Sequence, residues 1–105
     1  MLNKLVLEGE VIRTSWGSDE SKGFFVTIKQ VRKFGNFTLT DHFNLFANKP
    51  FANELEKNAI VGKNLAIEGI LRTYKSKNGE WKVTIEVMQI IHETISERTV
   101  QLMID

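Results

Sequence analysis

Two histidines, no cysteine and thirteen acidic side chains are the raw material for catalysis or metal binding in this 105-residue chain. Their spacing supports neither. His42 and His92 lie far apart, neither has a second histidine at ligand spacing, and neither sits in a catalytic motif. Asp41 directly precedes His42, but neighbours in a strand point to opposite faces and do not act together on one substrate. Gly62-Lys63 is followed by Asn64 and lacks the upstream glycine of a phosphate-binding loop. No catalytic residue, no metal ligand and no cofactor is assigned, and a binding protein, not an enzyme, is expected.

What the chain does carry is basic residues interleaved with aromatics. Lys29, Arg32, Lys33, Phe34 and Phe37 surround one turn, and Arg72, Tyr74, Lys75, Lys77, Trp81 and Lys82 surround another. Arg13 and Trp16 flank a third stretch of turn chemistry. Such a mixture suits a single nucleic-acid strand. Unpaired bases stack on aromatic rings at ~1–3 kcal/mol each, while Lys and Arg track the phosphates. Most of the seven phenylalanines of a small β protein belong in its core, and Phe24, Phe43 and Phe51 are assigned there. Trp16, Phe34, Tyr74 and Trp81, in turns or beside charges, are the stacking candidates. A subunit interface would also hold such exposed rings.

The elements that must position these residues follow from hydrophobic period. Residues 2–12 (LNKLVLEGEVI) place Leu5, Leu7 and Val11 on one parity, a first strand with Gly9 at a bend. Residues 15–23 are dense in Ser, Gly and Asp and separate it from a second strand at 24–31. There Phe24, Val26 and Ile28 face one way and Phe25, Thr27 and Lys29 the other. Residues 32–36 (RKFGN) form a basic hairpin turn before a third strand at 37–47, with Phe37, Leu39, Phe43 and Leu45 in phase. Pro50 opens a short helix in which Phe51 and Leu55 stand four apart. A fourth strand at 64–74 has Gly69 at a second bend; Asn78-Gly79 marks a hairpin; a fifth strand at 81–91 carries Trp81, Val83, Ile85 and Val87 in phase.

Five strands with one short helix between the third and fourth is the order of the all-β, Greek-key OB barrel, whose outer face often binds oligonucleotides or oligosaccharides. The chain is read as one domain over 1–105, with its core in about 1–92 and an extension, 93–105, whose structure is left open. Apolar residues at 42% and charged residues at 26% suit a folded protein, and a formal net charge of +1 means that any basic surface is made locally. The absence of cysteine agrees with a reducing compartment, and residues 1–11 lack the apolar run of a secretory signal. No stretch approaches the ~18 apolar residues of a membrane span, so no membrane partner is expected.

The order of motifs resembles the bacterial single-stranded DNA-binding protein family. MLNKLVLEGEV is similar to that family's opening, with Asn3, Lys4 and Gly9 in register. Residues 67–87 (IEGILRTYKSKNGEWKVTIEV) are similar to a second family stretch, where Glu68, Gly69, Arg72, Thr73, Glu86 and Val87 match. The middle is similar in plan, and the resemblance covers about residues 1–92. It implies a homotetramer, more than a dimer, whose outer face carries single-stranded DNA across aromatic and basic residues in replication, recombination or repair, in the cytoplasm at the nucleoid. It also implies stacking roles for Phe43 and for Tyr74 or Trp81. The family recruits replication proteins, the further partners that the resemblance implies, through a glycine-rich tail with an acidic tip, whereas this sequence ends in QLMID. A dimeric primosomal protein of the PriB type is the nearest alternative; an OB module that binds only protein and an RNA-binding OB protein are the others.

Overall fold

A computed structural model describes residues 2–17 and 23–92. Five strands, β1 (Leu5–Trp16), β2 (Phe24–Phe34), β3 (Phe37–Ala47), β4 (Asn64–Lys75) and β5 (Trp81–Ile91), surround one core, with helix α1 (Phe51–Asn58) between β3 and β4. They close into a barrel in the order β1-β2-β3-β5-β4, the OB architecture expected from the sequence.

Closure depends on β1 serving two neighbours. Its first half pairs antiparallel with β4, from Leu5 opposite Gly69 to Glu10 opposite Asn64. Its second half pairs with β2, from Glu10 opposite Lys29 to Trp16 opposite Phe24, with the register shifting between Val11 and Arg13. Gly9 permits the sharp approach: a Cβ there would sit 2.6 Å from the Lys29 carbonyl oxygen. Gly69 does the same on β4, where a Cβ would meet the Glu86 carbonyl at 2.5 Å and the register against β5 slips. The irregularity expected at Gly69 is present, whereas on β1 the register shift falls between Val11 and Arg13, beyond Gly9. The ring is completed by a short parallel contact, Leu45 opposite Ile85 and Phe46 opposite Glu86.

Period-2 alternation sends Val11, Phe24, Val26, Ile28, Leu45, Leu65, Ile67, Ile85 and Val87 inward, where all are buried. Helix α1 packs against β2, β3 and β5 and adds Ala52 and Leu55, both fully buried. Phe51 and Phe43 pack on this core from its margin.

Strand β1 starts at Leu5 and β4 ends at Lys75, and two further boundaries differ from the sequence reading by more. Strand β1 runs on to Trp16, because pairing with β2 continues past the bulge and places that ring in a strand instead of a turn. Strand β2 runs to Phe34, because the connection to β3 needs only Gly35 and Asn36, with Gly35 at φ +62°. Residues 31–40 are all exposed, so this hairpin projects beyond the barrel as an arm, and β4 and β5 form a second arm from Leu71 through Val83. The extension at 93–105 lies outside the described residues.

Candidate functional site

Because β2 and β3 are joined by a two-residue turn without a bulge, their outward residues lie side by side: Phe25 with Phe46, Thr27 with Asn44, Lys29 with His42 and Lys33 with Thr38. Phe25 and Phe46 stack, with ring centroids 6.2 Å apart and planes 27° from parallel. Phe25 is 41% exposed, which is unusual for a ring that could have been turned inward.

The pair is set on a rigid floor. Thr27 is buried; its hydroxyl donates to Asn44 Oδ1 at 2.9 Å and accepts from the Arg13 guanidinium at 3.5 Å. The Thr84 hydroxyl donates to the Asn44 carbonyl at 3.3 Å. A hydrogen-bonded row therefore crosses β1, β2, β3 and β5 directly beside the two rings. On the other side Glu86, opposite Phe46, accepts from Arg72 Nη1 at 2.8 Å and holds that guanidinium over the same surface. Tyr74 and Lys82, opposite one another, continue this outward side along the second arm.

Charge on the barrel face and its two arms is graded. Lys29 lies 3.8 Å from Glu10, Arg32 is paired with Asp41 at 3.1 Å, and Arg72 is paired with Glu86. Among the described residues Lys33, Lys75, Lys77 and Lys82 make no ion pair, so their full charge is available to an anion. The Lys75 ammonium sits 5.8 Å over the Trp81 ring.

The residues singled out from the sequence thus divide. Arg13, Lys29, Lys33, Arg72, Tyr74 and Lys82 share the outward surface. Arg32, Phe34 and Phe37 lie on the opposite side of the first arm, and Lys75 and Trp81 on the opposite side of the second, because alternation continues beyond the barrel. Phe34, Phe37 and Trp81 are 74%, 72% and 69% exposed, so none is core. Lys77 is at the tip of the second arm.

One stacking expectation is corrected by these placements, and a second ring, Trp16, is exposed but tied to α1. Phe43 faces inward against the core, since it pairs with buried Ile28 and shares its parity, and it offers no ring to the outer face. Trp16 packs on Phe24 at 4.9 Å and its indole N–H donates to Glu56 Oε2 at 2.7 Å, which ties β1 to α1. Sequence reasoning missed Phe46, and it put Phe25 outward without recognising a partner. The signal was the turn: once Gly35 and Asn36 are its two residues, Phe25 and Phe46 must face each other.

Comparison with known proteins agrees with the fold. Residues 1–104 match the family described as protein of unknown function DUF3217. An uncharacterized protein of Mycoplasma pneumoniae is 47% identical over 93 residues, 88% of each chain, and one of Mycoplasma genitalium is 51% identical over 92 residues, 87% of this chain and 88% of that one. Among solved structures, a small single-stranded DNA binding protein from Mycoplasma pneumoniae superposes with a TM-score of 0.80 at 45% identity, covering 90% of this chain and 99% of that one. A Plasmodium falciparum SSB in complex with single-stranded DNA shares the fold, with a TM-score of 0.61 at 18% identity over 85% of this chain and 87% of that one.

Proposed function

The chain belongs to the DUF3217 family and is an OB-fold protein of the single-stranded DNA-binding type, and from that premise we propose that it binds single-stranded DNA along the outward surface of β1, β2, β3 and β5. The observation that carries the proposal is the Phe25–Phe46 stack, with Phe25 exposed and Phe46 half-buried, on the side of the strands that also carries Arg13, Lys29 and Lys33. A base laid on these rings is held by its face, and phosphates on either side meet Lys33 toward one end and Arg72 and Lys82 toward the other. Stacking and phosphate contact read no sequence, which suits a protein that protects whatever strand is exposed in replication, recombination or repair. The chemistry is binding alone. Among the described residues no helix is long and apolar enough to cross a membrane, and no group of three His, Cys, Asp or Glu is placed to hold a metal ion.

The opposite sides of the arms support assembly as a homo-oligomer. Phe34, Phe37 and Leu39 on one, and Leu71, Trp81 and Val83 on the other, are apolar and exposed. Burial against further copies removes them from water, in a tetramer of the coating type or in a dimer like the primosomal proteins. A cytoplasmic location with access to the nucleoid accompanies this role.

The test is anisotropy of labelled oligo-dT at low and high salt, beside light scattering on the same sample. Salt-sensitive binding on a particle of four chains is the expected result. Two chains would transfer the assignment to the primosomal type, and no binding to DNA or RNA would leave a protein-binding module.

A further inference from the structure

Thr27 and Asn44 face each other two residues along β2 and β3 from the Phe25–Phe46 stack, on the same outward side. Thr27 is buried, whereas Asn44 is exposed. The polarity of the row they form with Arg13 is fixed by chemistry. A guanidinium can only donate, so at 3.5 Å Arg13 occupies a lone pair of the Thr27 hydroxyl. The single hydroxyl proton goes to Asn44, 2.9 Å away, where only the amide oxygen can accept it. Turned the other way, the amide would offer that proton no acceptor, and a buried hydroxyl would lose its hydrogen bond. Asn44 therefore holds Oδ1 toward Thr27, and its Nδ2, with two N–H donors, makes no hydrogen bond among the described residues.

We infer that Asn44 is a further DNA contact: its Nδ2 donates to an acceptor on the edge of the base that lies on Phe25 and Phe46, with Thr27 and Arg13 as the positioning residues behind it. The inference rests on the single-stranded DNA reading and adds a hydrogen bond that neither stacking nor phosphate contact supplies. Residues two apart on one side of a strand stand ~7 Å from each other, so a base resting on the rings extends over the Thr27–Asn44 row. The backbone of Asn44 is held as well, by the Thr84 hydroxyl at 3.3 Å. A donor fixed in place before the strand arrives loses little freedom on binding, which favours affinity. Every base carries ring nitrogens or carbonyl oxygens on its edges, so one donor strengthens binding without selecting sequence.

The experiment compares two labelled strands of equal length by anisotropy: oligo-dT, and a strand in which every thymine is replaced by difluorotoluene, which keeps thymine's shape and stacks but offers no carbonyl acceptor. The unaltered protein is expected to bind oligo-dT ~2- to 10-fold more tightly, the value of one hydrogen bond. In Asn44→Ala that ratio is expected to fall to about one; a ratio taken within one protein is insensitive to a general change in affinity or folding. Thr27→Val keeps the branched shape and deletes the hydroxyl. It is expected to lower the ratio as well, and to have no further effect on it in the Asn44→Ala background. Equal binding of the two strands by the unaltered protein would overturn the base contact and leave the strand-binding reading standing. A ratio that Asn44→Ala leaves unchanged would overturn the assignment to Asn44. A ratio untouched by Thr27→Val, or lowered further by it once the Asn44 amide is gone, would overturn the positioning role. Binding of neither strand would overturn the strand-binding reading itself.

Discussion

The side chain of Asn3 makes both hydrogen bonds to the backbone of Leu71: its Nδ2 donates to the Leu71 carbonyl at 2.9 Å and its Oδ1 accepts from the Leu71 N–H at 3.0 Å. A side-chain amide here does what a backbone peptide would do if β1 continued one step further along β4. Lys4 adds an ion pair to Glu68 at 2.8 Å. The segment before β1 is thereby fastened to the root of the second arm, which gives a structural reason for Asn3, Lys4 and Glu68 being among the residues that carry the family resemblance.

Replacing Asn3 by Ala removes both bonds at an exposed site, and a loss of about 1 kcal/mol is expected. Urea unfolding should show a lower midpoint with an unchanged slope. Asn3→Asp is expected to behave alike, because a carboxylate cannot donate to the Leu71 carbonyl.

Phe46→Ala is expected to weaken oligo-dT binding by ~1–3 kcal/mol, the value of one stacked base. Phe25→Ala should do the same, and the double variant should lose less than the sum, since the two rings form one platform. Phe43→Ala offers the contrast: its ring is inward, so the loss is expected in the unfolding midpoint, with affinity of the folded protein retained.

Among the cations, Lys33→Ala is expected to weaken binding to all sequences and to lower the salt slope by ~0.7, as for one phosphate contact on a single strand. Arg32→Ala should alter the slope less, because Arg32 lies on the other side of the arm and is already paired with Asp41. Titrations of the two variants at a series of salt concentrations decide this.

Trp16→Phe keeps the packing on Phe24 and deletes the hydrogen bond to Glu56, so a stability loss of about 1 kcal/mol is expected with unchanged DNA affinity. Loss of affinity in this variant would return Trp16 to the binding surface.

Gly9→Ala is expected to destabilise by ~2 kcal/mol or more, since the new methyl group would be driven onto a backbone carbonyl that cannot move without breaking the β1–β2 junction. Thermal unfolding measures it directly. Gly79→Ala, in a turn where a Cβ meets nothing but φ is +82°, should cost only about 1 kcal/mol.

Local chemistry was enough to determine five alternating strands, the helix at Pro50, a hairpin around Gly35 and another at Asn78-Gly79, and the irregularity of β4 at Gly69. Each depends on residues within a few positions of one another: alternation gives the buried face, and glycine the places where backbone meets backbone. The same locality explains why the basic and aromatic residues of the two hairpins could be listed but not sorted. Arg32 and Lys33 are neighbours in sequence and lie on opposite sides of an arm; whether those sides meet DNA or another chain depends on where the barrel ends. Trp16 reads as a turn aromatic until the pairing of β1 with β2 is known, and the stacking role that the family resemblance implied for Phe43 yields to its core assignment once its partner Ile28 is seen to be buried. The tertiary structure decided which residues share the outward surface because it set distant segments in register. Phe25 met Phe46, and Arg13 met Thr27.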